Sequence, residues 1–223
     1  MRAIYPFSHG WLYAADNLAD HLDDSSFHPV TLPHTNITLP YHNFDDSEYQ
    51  FLSTYRKRFE LPEALNGRRL MLDFEGAMLA ATVSINGHTF EEHHGGYTPF
   101  SYDITNYVKE DGKNLLIVHL DSTERHDIPP FGFVVDYLTF GGIYRDVSLR
   151  YVEPVHIHNV HVRTQNVLSD NPGLEIDVYV KNQSDAETTI NLNVTLSDNL
   201  ATGTESATIA AQGMTKITLS FPD

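Results

Sequence analysis

Among its 223 residues the chain contains no cysteine. A disulfide framework, a thiolate zinc site and a cysteine nucleophile are therefore excluded. Basic residues are scarce: 14 Lys and Arg against 30 Asp and Glu give a formal charge of −16. Such a field repels nucleic-acid phosphates and anionic membranes, so neither is expected as a partner. Neutral ligands are indifferent to that sign, and solubility alone accounts for the acidity. No apolar run approaches the roughly 18 residues of a transmembrane helix. The opening MRAIYPFSHGW lacks the long apolar stretch and small-residue cleavage site of a signal peptide. Nothing chooses between a cytoplasmic and a periplasmic location. The P-loop, G-x-G-x-x-G, G-x-S-x-G and H-E-x-x-H patterns are also missing, which removes support for nucleotide, hydrolase-elbow and zincin chemistry.

What remains is an ordinary globular composition, 41% hydrophobic and 11% aromatic, in a chain long enough for one large or two small domains. From Tyr49 onward the apolar residues alternate. Tyr55, Lys57, Phe59 and Leu61 share one parity and Arg56, Arg58 and Glu60 the other, which predicts a strand with one buried face. Leu70, Leu72 and Phe74 form a second set, and Val83 and Ile85 a third. Asn66-Gly67 and Asn86-Gly87 are turn signals between such runs. Asp103 is placed to cap a helical turn, and Asn114–Leu120 reads as a strand covered on both faces. Short strands separated by Gly and Pro turns predict an all-β sandwich or jelly roll, without any alternating βα pattern.

Past Glu153-Pro154 the aromatics thin out while Asn, Thr, Ser and Ala rise. Clean alternation continues at Val160/Val162, Leu174/Ile176/Val178/Val180, Ile190/Leu192/Val194/Leu196 and Ile217/Leu219/Phe221, the pattern of an immunoglobulin-like sandwich. A complete domain of that kind takes about 100 residues and only about 70 follow Glu153, so it is expected to be incomplete. The boundaries expected are 1–152 and 153–223.

The stretch from Asp136 to Val147, DYLTFGGIYRDV, concentrates the chemistry: a Gly pair that allows close backbone approach, then a half-buried strand. An acid thus sits on a loop at a sheet rim. This stretch, together with FEGAMLAATVSINGHTFEEHHGGYTPFSYDIT, resembles the N-terminal sugar-binding domain of family 2 glycoside hydrolases, the β-galactosidase and β-glucuronidase group. The resemblance implies a jelly-roll domain whose Asp136 reaches into the pocket of a separate catalytic (β/α)8 barrel and contacts substrate hydroxyls. It also implies that Asn36, after the Pro33-His34 pair, faces the same pocket in galactoside-acting members. An amide suits two neighbouring hydroxyls, although Asn is equally at home capping a turn. An acid at the Asp136 position is common to galactosidases and glucuronidases, so the galactoside reading leans on Asn36; β-glucuronidase and β-mannosidase are the alternatives within the family.

His126 lies in the Pro-rich loop 121–135 that leads into Asp136, as a ligand contact or a solvated loop residue. Trp11, the single tryptophan, is an anchor on the first domain or a sugar-stacking platform. Glu75 within FEG reads as a structural carboxylate. His156 and His158 are placed on one strand face and His161 on the other, too few ligands for a metal. Asp45, Asp46 and Glu48 read as a solvated acidic loop, with a hard cation as the alternative. Asn36, Asn182 and Asn193 open glycosylation triplets, which carry no weight without a secretory context.

No catalytic residue is expected here. Retaining glycosidases need two carboxyls about 5 Å apart, and in the resembled family both are glutamates on the barrel. The resemblance therefore implies a non-catalytic part of a glycosidase, with a terminal β-galactoside or related sugar and the barrel as partners. It implies homo-oligomers for the complete enzyme, no cofactor in these residues, and room for a divalent or monovalent cation in the whole. A free-standing carbohydrate-binding module and a structural β-sandwich pair are the rival readings.

Overall fold

The computed structural model describes residues 2–20, 22–37, 48–132, 137–197 and 201–222. Among the described residues every regular element is a strand or a short 3-10 turn, and the chain divides into two units, Met1–Tyr151 and Val152–Asp223.

In the first unit one sheet has four strands in the order β1 (Ala3–Pro6), β11 (Val147–Val152), β5 (Arg69–Phe74), β9 (Phe100–Asp103). The other has seven: β3 (His28–Val30), β2 (Trp11–Ala14), β4 (Leu52–Phe59), β10 (Asn114–Asp121), β6 (Ala80–Ile85) and β7 (His88–Thr89), with β8 (His93–His94) also on β6. The alternation works as the pleat requires. Leu70, Leu72 and Phe74 point into the core from β5, and Leu116, Val118 and Leu120 from β10. Asn86-Gly87 closes β6 onto β7 as a two-residue hairpin. Its φ angles of 49° and 89° are the left-handed values that Asn and Gly tolerate. Asn66-Gly67 makes the same turn but links β4 and β5, which belong to different sheets.

Trp11 lies fully buried, its indole N–H donating to the Phe7 carbonyl at 2.7 Å while Phe7 meets it edge-on. It is an anchor and not a platform. Glu75 is exposed, and its backbone carries the structural role, donating to Asp146 and accepting from Arg145.

Two expectations need correction in this unit. Arg56 does not face water: it is 1% exposed. Residues 16–20 and 22–27 fold across the outer face of the large sheet, where Arg56 donates to the Leu22 carbonyl and pairs with Asp24 over the Phe27 ring. The same segment meets Thr54 and His119, since Leu18 N–H donates to Thr54 and Asp20 pairs with His119. Strand β4 is therefore covered on both faces. The cap of the 3-10 turn Thr105–Tyr107 falls on Ile104. Asp103 still accepts the Thr105 N–H and hydroxyl while gripping Arg69, so its carboxylate serves the turn from one residue earlier.

The second unit has a three-stranded sheet, β12 (Val155–Gln165), β13 (Gly173–Asn182), β16 (Met214–Pro222), and a two-stranded one, β14 (Thr188–Thr195) and β15 (Thr202–Ile209). All its pairings are antiparallel. Ile176, Val178, Val180, Leu192, Ile209, Ile217 and Leu219 make the core. A bulge between Ile157 and Asn159 corrects the histidine expectation: His158 is the extra residue. His156 and His161 end on one face, paired with Lys181 and Asp177, and His161 lies against the Tyr179 ring. No metal-binding group of three occurs among the described residues. Asn182 is buried and donates to the Ala186 and Ile209 carbonyls, which leaves no room for a glycan there.

Candidate functional site

The sequence-selected rim is built around residues 141–143. Backbone N–H groups of His34 and Asn36 donate to the carbonyls of Ile143 and Gly141, both at 2.9 Å. On the opposite side Met78 and Gly142 exchange bonds as an isolated antiparallel bridge. Three segments distant in sequence thus meet along one backbone. The glycines are required by that closeness. A Cβ on Gly141 would fall inside the van der Waals surface of Ser122 and of the Asn36 amide. Gly142 combines φ +119° with direct apposition to the His34 carbonyl, a conformation that L side chains rarely adopt.

Under this spine lies a neutral polar cluster. The Tyr13 hydroxyl donates to the Asn36 carbonyl at 2.9 Å, and Tyr55 sits 2.8 Å from Nδ1 of His34. Burial pushes the Tyr13 phenol up to about 12 and Tyr55 higher still, and it lowers the pKa of His34. At neutral pH the cluster therefore carries no charge, and the Tyr55 hydroxyl and the imidazole share a neutral hydrogen bond. Asn36 is 6% exposed; its Nδ2 donates to the Tyr49 carbonyl at 2.9 Å, whereas its Oδ1 is buried without a hydrogen-bond partner among the described residues. An orphaned amide oxygen at such a position is uncommon enough to mark the spot.

His126 is exposed at the tip of a turn, Arg125 to Ile128, whose base Ile128 packs with Met78 and Leu79. Arg125 holds that turn, donating to both carboxylate oxygens of Asp127 and to Glu92 at 2.7 Å. Burial acts to raise the Glu92 pKa, but hydrogen bonds from Arg125 and His94 outweigh it and leave Glu92 low; Arg125 lowers Asp127 likewise. Neither carboxyl is a proton donor at neutral pH, so this cluster orders a loop and does no acid–base work. Gln50 ties the neighbouring segments, accepting from Glu124 N–H and reaching Thr139.

Sequence reasoning passed over the aromatics on the rim. Tyr97, from the GGYTPF loop, and Tyr137 are 41% and 53% exposed with hydroxyls 3.2 Å apart, and Phe131 is 41% exposed. Arg145 donates to the Tyr97 carbonyl and stacks on Tyr144, whose hydroxyl bonds Gly96. Their signal was available: aromatics in Gly-rich loops have no periodic strand to pack into. Asp136 lies outside the described residues, as do Asp45 and Asp46; the described chain stops at Gly132 and resumes at Tyr137. Asn36, by contrast, is joined directly to the Gly141 backbone.

Residues 20–154 match the family model described as the sugar binding domain of glycosyl hydrolases family 2. The chain belongs to that family. It is 44% identical over 165 residues to a β-galactosidase of Thermoanaerobacter pseudethanolicus, covering 72% of this chain and 22% of that protein. It is 40% identical over 204 residues to a β-galactosidase of Thermoanaerobacterium thermosulfurigenes, covering 89% and 28%. Bacteroides uniformis β-glucuronidase 2, solved with cyclophellitol-6-carboxylate aziridine covalently bound, superimposes with a TM-score of 0.86 at 26% identity, over 100% of this chain and 28% of that one. The chain spans about a quarter of the length of these relatives. What it shares with the family's β-galactosidases and β-glucuronidases is their sugar-binding region.

Proposed function

We propose that the chain is the non-catalytic N-terminal region of a retaining, β-galactosidase-like glycosidase acting on terminal β-galactosides. The observation that carries the galactoside reading is the pair of β-galactosidases at 44% and 40% identity, against 24–31% for three β-glucuronidases. In this reading Met1–Tyr151 is a jelly-roll domain and the second unit an incomplete immunoglobulin-like one. The catalytic glutamates stand on a (β/α)8 barrel elsewhere in the same polypeptide, which assembles as a homo-oligomer. The chain alone turns over no substrate.

Asp136 accepts hydrogen bonds from hydroxyls of the terminal sugar, and His126 lines the entrance from its clamped turn. Asn36 acts chiefly as a positioning residue, because its amide nitrogen is committed to Tyr49 and it is nearly buried. A pocket that reads hydroxyls gains in the transition state only when held rigid, and the Gly141–Gly142 spine supports that requirement.

In the complete enzyme, Asp136→Ala should lower kcat/KM on an aryl β-galactoside about 100-fold, the scale of a lost orienting contact, with the fold intact by circular dichroism. Unchanged kinetics would sink the assignment. Second, the superposition on a β-glucuronidase favours a glucuronide reading, and an enzyme faster on aryl β-glucuronides than on galactosides would replace the first reading with it.

A further inference from the structure

The dipeptide Asn-Gly occurs twice in the chain, and the backbone is nearly the same at both places. Asn66 and Asn86 have φ angles of 50° and 49°, and the glycines after them 79° and 89°. All four residues are exposed, and nothing lies within 4 Å of where a Cβ would stand on either glycine. The difference is in the hold on the side chain. At Asn86 the amide nitrogen donates to the Tyr107 carbonyl at 2.7 Å and to Oδ1 of Asn114 at 2.8 Å, while the amide oxygen accepts the Leu115 N–H at 2.9 Å. Asn114 is itself 1% exposed and is bonded at both ends of its amide to the Lys109 backbone, so this tie is anchored in the body of the sheet. Asn66 makes one side-chain bond among the described residues, a long one of 3.4 Å to the Ala64 carbonyl.

An asparagine before glycine is open to attack by the next amide nitrogen. Glycine has no side chain to crowd the ring that forms, and nucleophile and carbonyl belong to one molecule. We propose that Asn66 is a site of spontaneous hydrolytic modification, converted through a succinimide to aspartate and isoaspartate, and that Asn86 is protected from the same reaction by its bonds to Tyr107, Asn114 and Leu115. The Gly67 nitrogen bonds to Cγ of Asn66, the Cγ–Nδ2 bond breaks, and the glycine proton departs with the amide as ammonia. Water then adds to either ring carbonyl and reopens the ring, giving aspartate from addition at Cγ and isoaspartate from addition at the backbone carbonyl. Water enters and ammonia leaves, with no change of oxidation state. At Asn86 the leaving nitrogen must first release Tyr107 and Asn114, and the oxygen must release Leu115, which requires local opening. The two products at Asn66 are not equivalent. Aspartate tolerates a positive φ much as asparagine does, whereas isoaspartate lengthens the backbone inside the turn that the Arg68 N–H closes on the carbonyl of the buried Leu65.

The folded 223-residue chain is aged in mildly alkaline buffer, and the peptides that contain positions 66 and 86 are followed by mass spectrometry. Isoaspartate is scored separately by methyl transfer from S-adenosylmethionine with an isoaspartate-specific methyltransferase. Asn66 should convert on the order of 100-fold faster than Asn86, the suppression expected where reaction waits on local opening. In concentrated guanidinium chloride, where neither turn exists, the two rates should converge. Asn66→Gln should abolish conversion and methyl acceptance at position 66, with the rate at Asn86 and the fluorescence of Trp11 unchanged. Equal rates in the folded chain, or faster loss of Asn86, overturn the proposal. So does a folded chain that keeps Asn66 intact while the denatured chain converts it, which would mean that the turn itself protects. A rate difference that persists in denaturant also overturns it, because the cause would then be local sequence and not the hydrogen bonds.

Discussion

The two units use the same alternation to different ends. In the first, Trp11, Tyr55, Phe74 and Tyr151 are all buried to 1% exposure or less, and two sheets close over them. In the second, the core is seven aliphatic side chains, and its longest strand leaves Val160 and Val162 in solvent. A valine on a core-coded face is therefore worth what the opposite layer makes of it. Hydrophobic stabilisation follows the area removed from water, about 25 cal/mol per Å², and without a covering layer that area is small.

This difference can be broken at several points, and Trp11, the only tryptophan, reports the first unit by its fluorescence. Gly142→Ala should have the largest effect, because it adds a strained φ to an overlap with the His34 carbonyl. A loss of about 3 kcal/mol or more is expected in the first unit, read by urea denaturation on Trp11, with the second unit's amide signals unmoved in NMR spectra. Leu72→Ala should cost about 2–5 kcal/mol there. If the first unit tolerated both changes, its closed packing would have been misjudged.

Acid separates the units more gently. His34 is neutral in the fold because burial lowers its pKa. Below about pH 6.5 the unfolded chain takes up a proton that the folded chain refuses, so the first unit should weaken as pH falls through that point. Asp177 in the second unit is held below the usual carboxylate range by Arg163, then Thr218 and Lys216. Its contribution should persist down to about pH 4 and fade below, as the unfolded carboxyl protonates first. Urea midpoints on Trp11 at pH 7.5 and 5.5 test the first statement, and a midpoint that does not move would refute it. Amide signals of the second unit at pH 5.5 and 3.5 test the other. The smallest effect should be Val160→Ala in the 223-residue chain, within about 0.5 kcal/mol, as for an exposed site. A loss near 2 kcal/mol would mean that the face is already covered.

Much of the first unit was legible from local pattern. The β5 and β10 alternation, the Asn86-Gly87 hairpin and the need for Gly141-Gly142 each follow from a single residue's steric or solvation preference, and neighbours in sequence suffice to state it. The candidate site was legible only through its motif: DYLTFGGIYRDV located the rim, but not the Tyr97–Tyr137 pair or the clamp that Arg125 makes with Glu92 and Asp127.

The strand pattern, the turn chemistry and the family membership were thus determined by the sequence itself, since each is encoded in short stretches read one at a time. Tertiary structure alone decided that Arg56 is buried, because Leu22, Asp24 and Phe27 arrive from elsewhere to cover it. It also decided that His158 falls out of register, that the Asn36 amide nitrogen is spent on Tyr49, and that Val162, opposite the buried Ile176, stays 60% exposed. Burial and hydrogen-bond partnership are properties of pairs of segments, and periodicity in one segment does not carry the identity of the other.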